Sequence, residues 1–336
     1  MLRLASILAL AAACGATPVS PQQPSSAPPV PRGPYLGQTA GPLPQLFAPG
    51  VVSRRYQELN AAFSPAGDEL FFTIADATRT MYTLLHVQRL PDGAWTPAAV
   101  APFSGVYADA DPFFSADGQR LYFISSRPRP GAPAGATDYN LWYAARAGAG
   151  WAEPVDLGPT VNTPADDYYV SVTRDGAVFW SRDGKVMRAA PSGGGGDFVV
   201  EALPEAVNAP GTNQGDPYVA PDESYLIFAS SGRPDNRGSR DLYVSFKTDG
   251  QWQPARSLGD AINSDRLEYC PMISPDGRYF FFTSYKVPAR STPPARRELA
   301  AILQEQDAIE NGLGNIYWMT TAFLDAMRAG GAPPAP

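Results

Sequence analysis

The chain has 336 residues, of which 36 are proline and 31 glycine, with 44% hydrophobic and 11% aromatic residues. This composition describes a turn-rich all-β chain with ample core-forming side chains. A net charge of −7 excludes the basic footprint of a nucleic-acid binder, and a single histidine, His86, excludes histidine-built zinc sites, Ser-His-Asp triads and Cys-His dyads.

The N-terminus, MLRLASILALAAACGATPVS, places Arg3 before an apolar run from Leu4 to Ala13, followed by small residues. It reads as an export signal over residues 1–14, since a membrane span needs about 20 apolar residues. The ending AAAC resembles a lipoprotein box with Cys14 as the acylated residue, although Ala11 stands where that pattern prefers Leu. Gly15 next to it suits periplasmic attachment to the outer membrane; without acylation of Cys14 the protein is expected to be secreted. Residues 15–42, rich in Pro, Ser, Ala and Gly, read as a disordered tether. Residues 43–328 read as the folded body and 329–336 as a disordered tail. No later stretch is long and apolar enough to span a bilayer, so a lipid anchor is the only membrane contact expected. With Cys14 acylated or removed, Cys270 has no disulfide partner and reads as a buried, inert thiol.

The body repeats one phrase five times: SPAGDELFFT (64–73), SADGQRLYFIS (115–125), TRDGAVFWS (173–181), APDESYLIFAS (220–230) and SPDGRYFFFTS (274–284). Each is a polar or small residue, a turn built on Asp or Gly, and an apolar run. The period of about 50 residues indicates a repeat architecture. Apolar stretches precede each turn, and strand-like runs such as NLWYAAR (140–146) and NIYWMTT (315–321) follow. A further element, GAWTP, GAGWAEP or GQWQP, occurs in three copies and is read as the fourth strand, its Trp packing within the blade. Four short strands per repeat make a propeller blade. The segment FAPGVVS (47–53) matches LGPTVNT (157–163) and LGDAINS (258–264), whereas the last repeat lacks its fourth strand. The N-terminal strand is therefore predicted to close the last blade, giving five four-stranded blades, with six as the alternative. One insertion, 286–314, contains ARRELAAILQEQDAIENG, predicted as a short helix over one face with Leu299, Ile302 and Leu303 on one side.

The SPDG core with its Asp-Pro lead-in resembles the WD40-like β-propeller repeat of TolB-type bacterial envelope proteins. The resemblance covers roughly residues 43–328. It implies a non-enzymatic scaffold that binds an envelope protein or peptide, but that repeat hosts several functions, and fold does not fix function.

Stacking the repeats gives a candidate site. Six residues before each turn lie Glu58, Asp109, Asp167, Gln214 and Glu268, and two residues further on lie Asn60, Asp111, Tyr169, Asp216 and Cys270. Inner strands line a propeller channel, so Glu58, Asp109, Asp111, Asp167, Asp216 and Glu268 are expected to form an acidic mouth. Like charges about 8 Å apart repel by roughly 2 kcal/mol at an effective dielectric near 20. Such a ring favours a basic partner group, a Ca2+ ion, or hydrogen bonds from neighbouring blades. No catalytic residue follows from the scaffold reading. The second reading is a glycan-binding or glycoside-hydrolysing five-bladed propeller, whose carboxylates would be Asp109, Asp167 and Glu268.

Overall fold

The five Ser/Thr/Ala-led turns fold as five copies of one hairpin in the computed structural model, which describes residues 30–133, 135–192, 198–288 and 296–335. In the first, Ser64 N–H donates to the Glu69 carbonyl at 2.9 Å and Gly67 N–H to the Ser64 carbonyl at 2.8 Å. The same pairs recur at Ser115, Thr173, Ala220 and Ser274. The turn requires a left-handed residue, supplied by Gly67, Gly118, Gly176 and Gly277. In the fourth copy Glu223 takes this place with φ +57°, and its carboxylate is held by Arg188 at 3.0 Å and Lys247 at 2.6 Å.

Each hairpin is the centre of an antiparallel blade. Strand β1 (Gln45–Leu46) comes first. Blade 1 is β2 (Gln57–Phe63), β3 (Glu69–Ala75), β4 (Tyr82–Gln88) and β5 (Ala99–Val100). Blade 2 is β6 (Asp109–Phe114), β7 (Arg120–Ser125) and β8 (Asn140–Ala147), with β9 (Gly150–Trp151) and β10 (Val155–Asp156) both pairing β8. Blade 3 is β11 (Asp167–Val172), β12 (Val178–Arg182), β13 (Lys185–Pro191) and β14 (Phe198–Ala202). Blade 4 is β15 (Asn213–Val219), β16 (Tyr225–Ser231) and β17 (Asp241–Thr248), with β18 (Gln251–Trp252) and β19 (Arg256–Ser257) on β17. Blade 5 is β20 (Glu268–Ile273), β21 (Tyr279–Ser284) and β22 (Asn315–Thr320), completed by β1. The inner strands β2, β6, β11, β15 and β20 touch in that order and β20 returns to β2, so the ring has five blades.

Ring closure runs through β1, with Gln45 opposite Trp318 and Leu46 opposite Tyr317, as the unpaired FAPGVVS segment predicts. The fourth strands are shorter than expected. The GAGW and GQW elements fold back as hairpins on the third strand (β9, β18), and the paired outer strand is the two-residue segment beyond them. What holds this outer edge is the Asn of the LG…N motif. Asn162 accepts from Leu141 N–H at 3.0 Å and donates to the Leu141 carbonyl at 2.9 Å. Asn208 makes the same double bond to Val186, and Asn263 to Leu242. The tryptophans pack between strands: Trp151 lies 5.8 Å from Phe71 of blade 1 and Trp252 lies 6.5 Å from Phe179 of blade 3.

Three expectations change. Helix α1 (Leu299–Asp307) forms, but buries none of its residues: Leu299 and Leu303 are exposed, and Arg55 reaches its Asp307 at 2.9 Å. The run after β22 leaves the strand and becomes helix α2 (Ala322–Arg328), burying Phe323, Leu324 and Met327 at i, i+1 and i+4. Finally, the tether and tail boundaries move inward. The signal segment, Cys14 and tether residues 15–29 lie outside the described residues. Residues 31–42, however, pack on the propeller, with Tyr35 and Leu36 buried and Trp95 Nε1 donating to the Gly33 carbonyl at 2.7 Å. The tail is fixed by Arg256, which donates to the carbonyls of Met327 and Gly331 at 2.7 and 2.5 Å. Proline and glycine content masks these anchors because one aromatic and one aliphatic residue suffice to dock a short segment.

Tyr35 sits edge-on to Phe63 and Tyr279 at 5.0 and 4.9 Å, bridging blades 1 and 5. Removing residues 1–30 should leave the melting temperature unchanged. Removing 1–46 should expose the β22 edge and cost several kcal/mol, since each buried aromatic or aliphatic side chain contributes about 1.5–3 kcal/mol. Thermal melts with size-exclusion chromatography of both truncations check this; equal stability would refute the closure role of 31–46.

Candidate functional site

The site begins with a backbone irregularity repeated in every blade. Each inner strand slips register against its neighbour, between Leu59 and Ala61, Ala110 and Phe113, Tyr168 and Ser171, Gly215 and Tyr218, and Tyr269 and Met272. At each slip one residue is left-handed: Asn60 (φ +47°), Asp111 (+57°), Tyr169 (+55°), Asp216 (+52°) and Cys270 (+50°). These are β-bulges, which re-aim a side chain and free a backbone donor. Neighbouring blades take up the freed donors. Asn60 N–H donates to Thr283 Oγ1 at 3.2 Å and Asp111 N–H to Thr73 Oγ1 at 3.3 Å.

The bulge residues meet on the propeller axis. Tyr169, fully buried, reaches from blade 3 to blade 5, where its hydroxyl donates to the Pro271 carbonyl. Asp111, Asp216 and Cys270 line a cavity of about 830 Å³ with Tyr82, Tyr139, Tyr168, Tyr269, Arg79 and Arg240 on its walls. The Cys270 thiol donates to Asp111 Oδ1 at 3.7 Å. Arg240 lies 3.6 Å from Asp216 and also donates to Asn213 at 3.1 Å. Arg79 stacks over Tyr269 and Tyr285 at 5.7 and 6.0 Å. The Asn60 amide, 2% exposed, lies beside Asp111.

Electrostatics separate the two aspartates. Burial, reinforced by the Asp216 charge, pushes Asp111 up to about 7, opposed only by the neutral Cys270 and Asn60 side chains and a backbone bond. Burial also raises Asp216, but there the charges of Arg240 and Arg79 oppose it. The pair titrates together, and Asp111, raised to about 7, divides between its acid and its carboxylate near neutral pH. Burial likewise raises the Cys270 thiol well above its ordinary range, partly through both aspartates, so it is a hydrogen-bond donor and no nucleophile.

The other expected mouth residues turn into their own blades. Asp109 is ion-paired with Arg127 at 2.9 Å and accepts from Ser104 at 2.8 Å. Asp167 accepts from Arg182 at 2.7 Å and Trp180 Nε1 at 2.8 Å. Glu268 accepts from Ser264 N–H and from the Ser264 and Ser284 hydroxyls. Glu58 accepts from Arg54 N–H at 3.2 Å. All four are essentially inaccessible and do not line the cavity. Instead they fix the loop entering each inner strand, so Asp109, Asp167 and Glu268 are not positioned as a reactive set. Among the described residues no group of three or more His, Cys, Asp or Glu side chains could share one metal ion. His86, on β4, stacks on Phe71 at 4.2 Å and lies 3.2 Å from Glu69, within an interblade cluster completed by Arg146.

Arg79, Tyr139 and Arg240 went unread in the sequence, because the segments between strands differ in length and do not align between repeats; Tyr82 and Tyr168, near the starts of β4 and β11, went unread as well. Tyr139 and Tyr168 both follow an acidic residue in Asp-Tyr pairs, the one signal available.

Asp167→Asn should cost about 3–5 kcal/mol in chemical denaturation, because it leaves Arg182 buried without its partner. Glu58 behaves oppositely. Burial raises it to about 7, and its Oε1 has no donor, so folding favours its proton. Stability therefore falls as pH rises from about 4.5 towards 7, by on the order of 3 kcal/mol. Glu58→Gln should flatten that slope and match or exceed the native stability at pH 8; a steeper or unchanged slope would contradict the assignment.

No protein-family model matches the chain, and no curated protein matches it. Similar solved structures include the catalytic domain of a family 62 α-L-arabinofuranosidase from Coprinopsis cinerea, 12% identical with a TM-score of 0.45, covering 83% of this chain and 97% of that one. A thermostable family 43 glycoside hydrolase is 13% identical with a TM-score of 0.43, covering 68% and 83%. Prolyl endopeptidases are 16% identical with a TM-score of 0.37, and the alignment spans 71% of this chain but 31% of theirs. These similarities are too distant to assign chemistry to the chain.

Proposed function

We propose that the protein is a carbohydrate-active propeller that binds a glycan at the tyrosine-walled mouth and hydrolyses a glycosidic bond with Asp111 and Asp216. The observation that carries this reading is the pair of buried, mutually coupled aspartates on the floor of that cavity. Two carboxylates whose surroundings push their protonation apart are the working parts of a glycosidase. Asp111, in its acid form, gives its proton to the leaving oxygen as the bond to the anomeric carbon breaks. Asp216, in its charged form beside Arg240, stabilises the positive charge that develops on the sugar ring, and water completes the hydrolysis. Tyr82, Tyr139 and Tyr168 offer ring faces to sugar C–H groups and hydroxyls to their oxygens.

The full chain, screened on oligosaccharides, should show an alkaline limb near pH 7 set by loss of the Asp111 proton. Asp111→Asn should lower kcat by about 10²–10⁴-fold and abolish that limb without lowering the melting temperature. Asp216→Asn should lower kcat to a similar extent. Full activity in both variants would refute the assignment.

The second reading, a TolB-like scaffold for a peptide or protein, is favoured by the hydrogen bond that ties Tyr169 of blade 3 to the Pro271 carbonyl of blade 5. It would be supported if a partner protein bound the wild type and both aspartate variants alike while no oligosaccharide bound. In either reading the protein is exported and attached to the outer membrane through Cys14. Detergent phase partitioning should then move Cys14→Ser from the detergent to the aqueous phase.

A further inference from the structure

Arg79 is placed with unusual care. The loop carrying it, between β3 and β4, is tied by Asp76, whose carboxylate accepts from Thr80 N–H at 2.7 Å, Met81 N–H at 3.1 Å, and the hydroxyls of Thr78 and Thr80 at 2.5 and 2.9 Å. Arg79 itself is left-handed, with φ +57°, a conformation that is uncommon for a residue bearing a Cβ. The loop thus fixes the backbone in a disfavoured shape and sends the guanidinium over the Tyr269 and Tyr285 rings of blade 5.

The charge delivered there is unmatched. The other arginines around the mouth have acidic partners: Arg129 with Asp138 at 3.1 Å, Arg182 with Asp167 at 2.7 Å, and Arg240 with Asp216 at 3.6 Å. Among the described residues no carboxylate lies within ion-pair distance of Arg79, although it lines the cavity. Stacking on tyrosine faces leaves the planar edge of a guanidinium available; here Tyr82 takes part of it, and the remaining N–H groups match two carboxylate oxygens.

We propose that Arg79 receives a carboxylate of the ligand, so that the mouth selects an acidic glycan, one built from or decorated with uronic acid. This rests on the carbohydrate reading and adds the substrate class to it. Tyr269 and Tyr285 act as the platform that holds the guanidinium, and Asp111 and Asp216 lie beneath at the bond to be cleaved.

The test is calorimetric binding of galacturonate, glucuronate and mannuronate trimers to the full chain, each beside its carboxyl-reduced neutral counterpart. The expected result is tighter binding of at least one acidic trimer than of its reduced form. Arg79→Gln should then weaken the acidic trimer by about tenfold to a hundredfold and leave the reduced form unchanged, with Arg79→Lys recovering part of the loss. Equal binding of both forms, or equal weakening of both by Arg79→Gln, would overturn the role of Arg79. A neutral oligosaccharide that is bound and hydrolysed while every uronate trimer fails would overturn it too, leaving the carbohydrate reading intact. Absence of binding by any oligosaccharide, acidic or neutral, would remove that reading and this inference with it.

Discussion

The left-handed residue in each inner strand is the constraint on which the site depends. A non-glycine residue in this region costs of order 1–3 kcal/mol, and the propeller accepts it five times. Part of the offset is visible at the blade interfaces, where Thr73 and Thr283 accept the amide protons displaced from the ladder. The return is that five side chains leave the regular alternation of a strand and meet on one axis. Tyr169 then reaches across to the Pro271 carbonyl, and Asp111, Asp216 and Cys270 line a cavity.

The same irregularity explains why sequence reasoning merged two rings of residues that the structure keeps apart. In a regular strand, positions two apart point to the same face, so Glu58 with Asn60 and Asp109 with Asp111 belong together on paper. The bulge falls between the members of each pair. Asp109 consequently turns into blade 2 to meet Arg127, while Asp111 turns to the axis. A bulge leaves no composition signal beyond a non-glycine residue in a disfavoured conformation, and that cannot be read from residue type when Asn, Asp, Tyr and Cys all occupy the position.

The fold was far more legible than the site. Five copies of one turn specify five hairpins, and a strand left over at one end with a strand missing at the other specifies closure. What repeats could be aligned; what does not repeat could not. Helix α2 follows β22 in a mainly apolar run broken only by Thr320, Thr321 and Asp325, where strand and helix periods cannot be distinguished over so few residues. Arg79 and Tyr139 lie on loops of unequal length, so stacking the repeats never brought them into one column.

Two buried carboxylates show how a scaffold charge differs from a reactive one. Glu69, at the interface of blades 1 and 2, is buried, yet His86, Arg146 and Gln88 all reach it and hold it at about 2 against the cost of burial. Asp111 is as inaccessible, but its neighbours are a thiol, an amide and another aspartate, and it rises to about 7. Burial alone does not decide protonation; the partners do. Blade interfaces supply guanidinium groups to their carboxylates, and the axis withholds one from Asp111 while giving one to Asp216. A packing residue has no use for that asymmetry, since a neutral side chain of the same size would avoid the desolvation cost. Its presence in a cavity walled by four tyrosines is why we propose Asp111 for chemistry and Glu69 for structure.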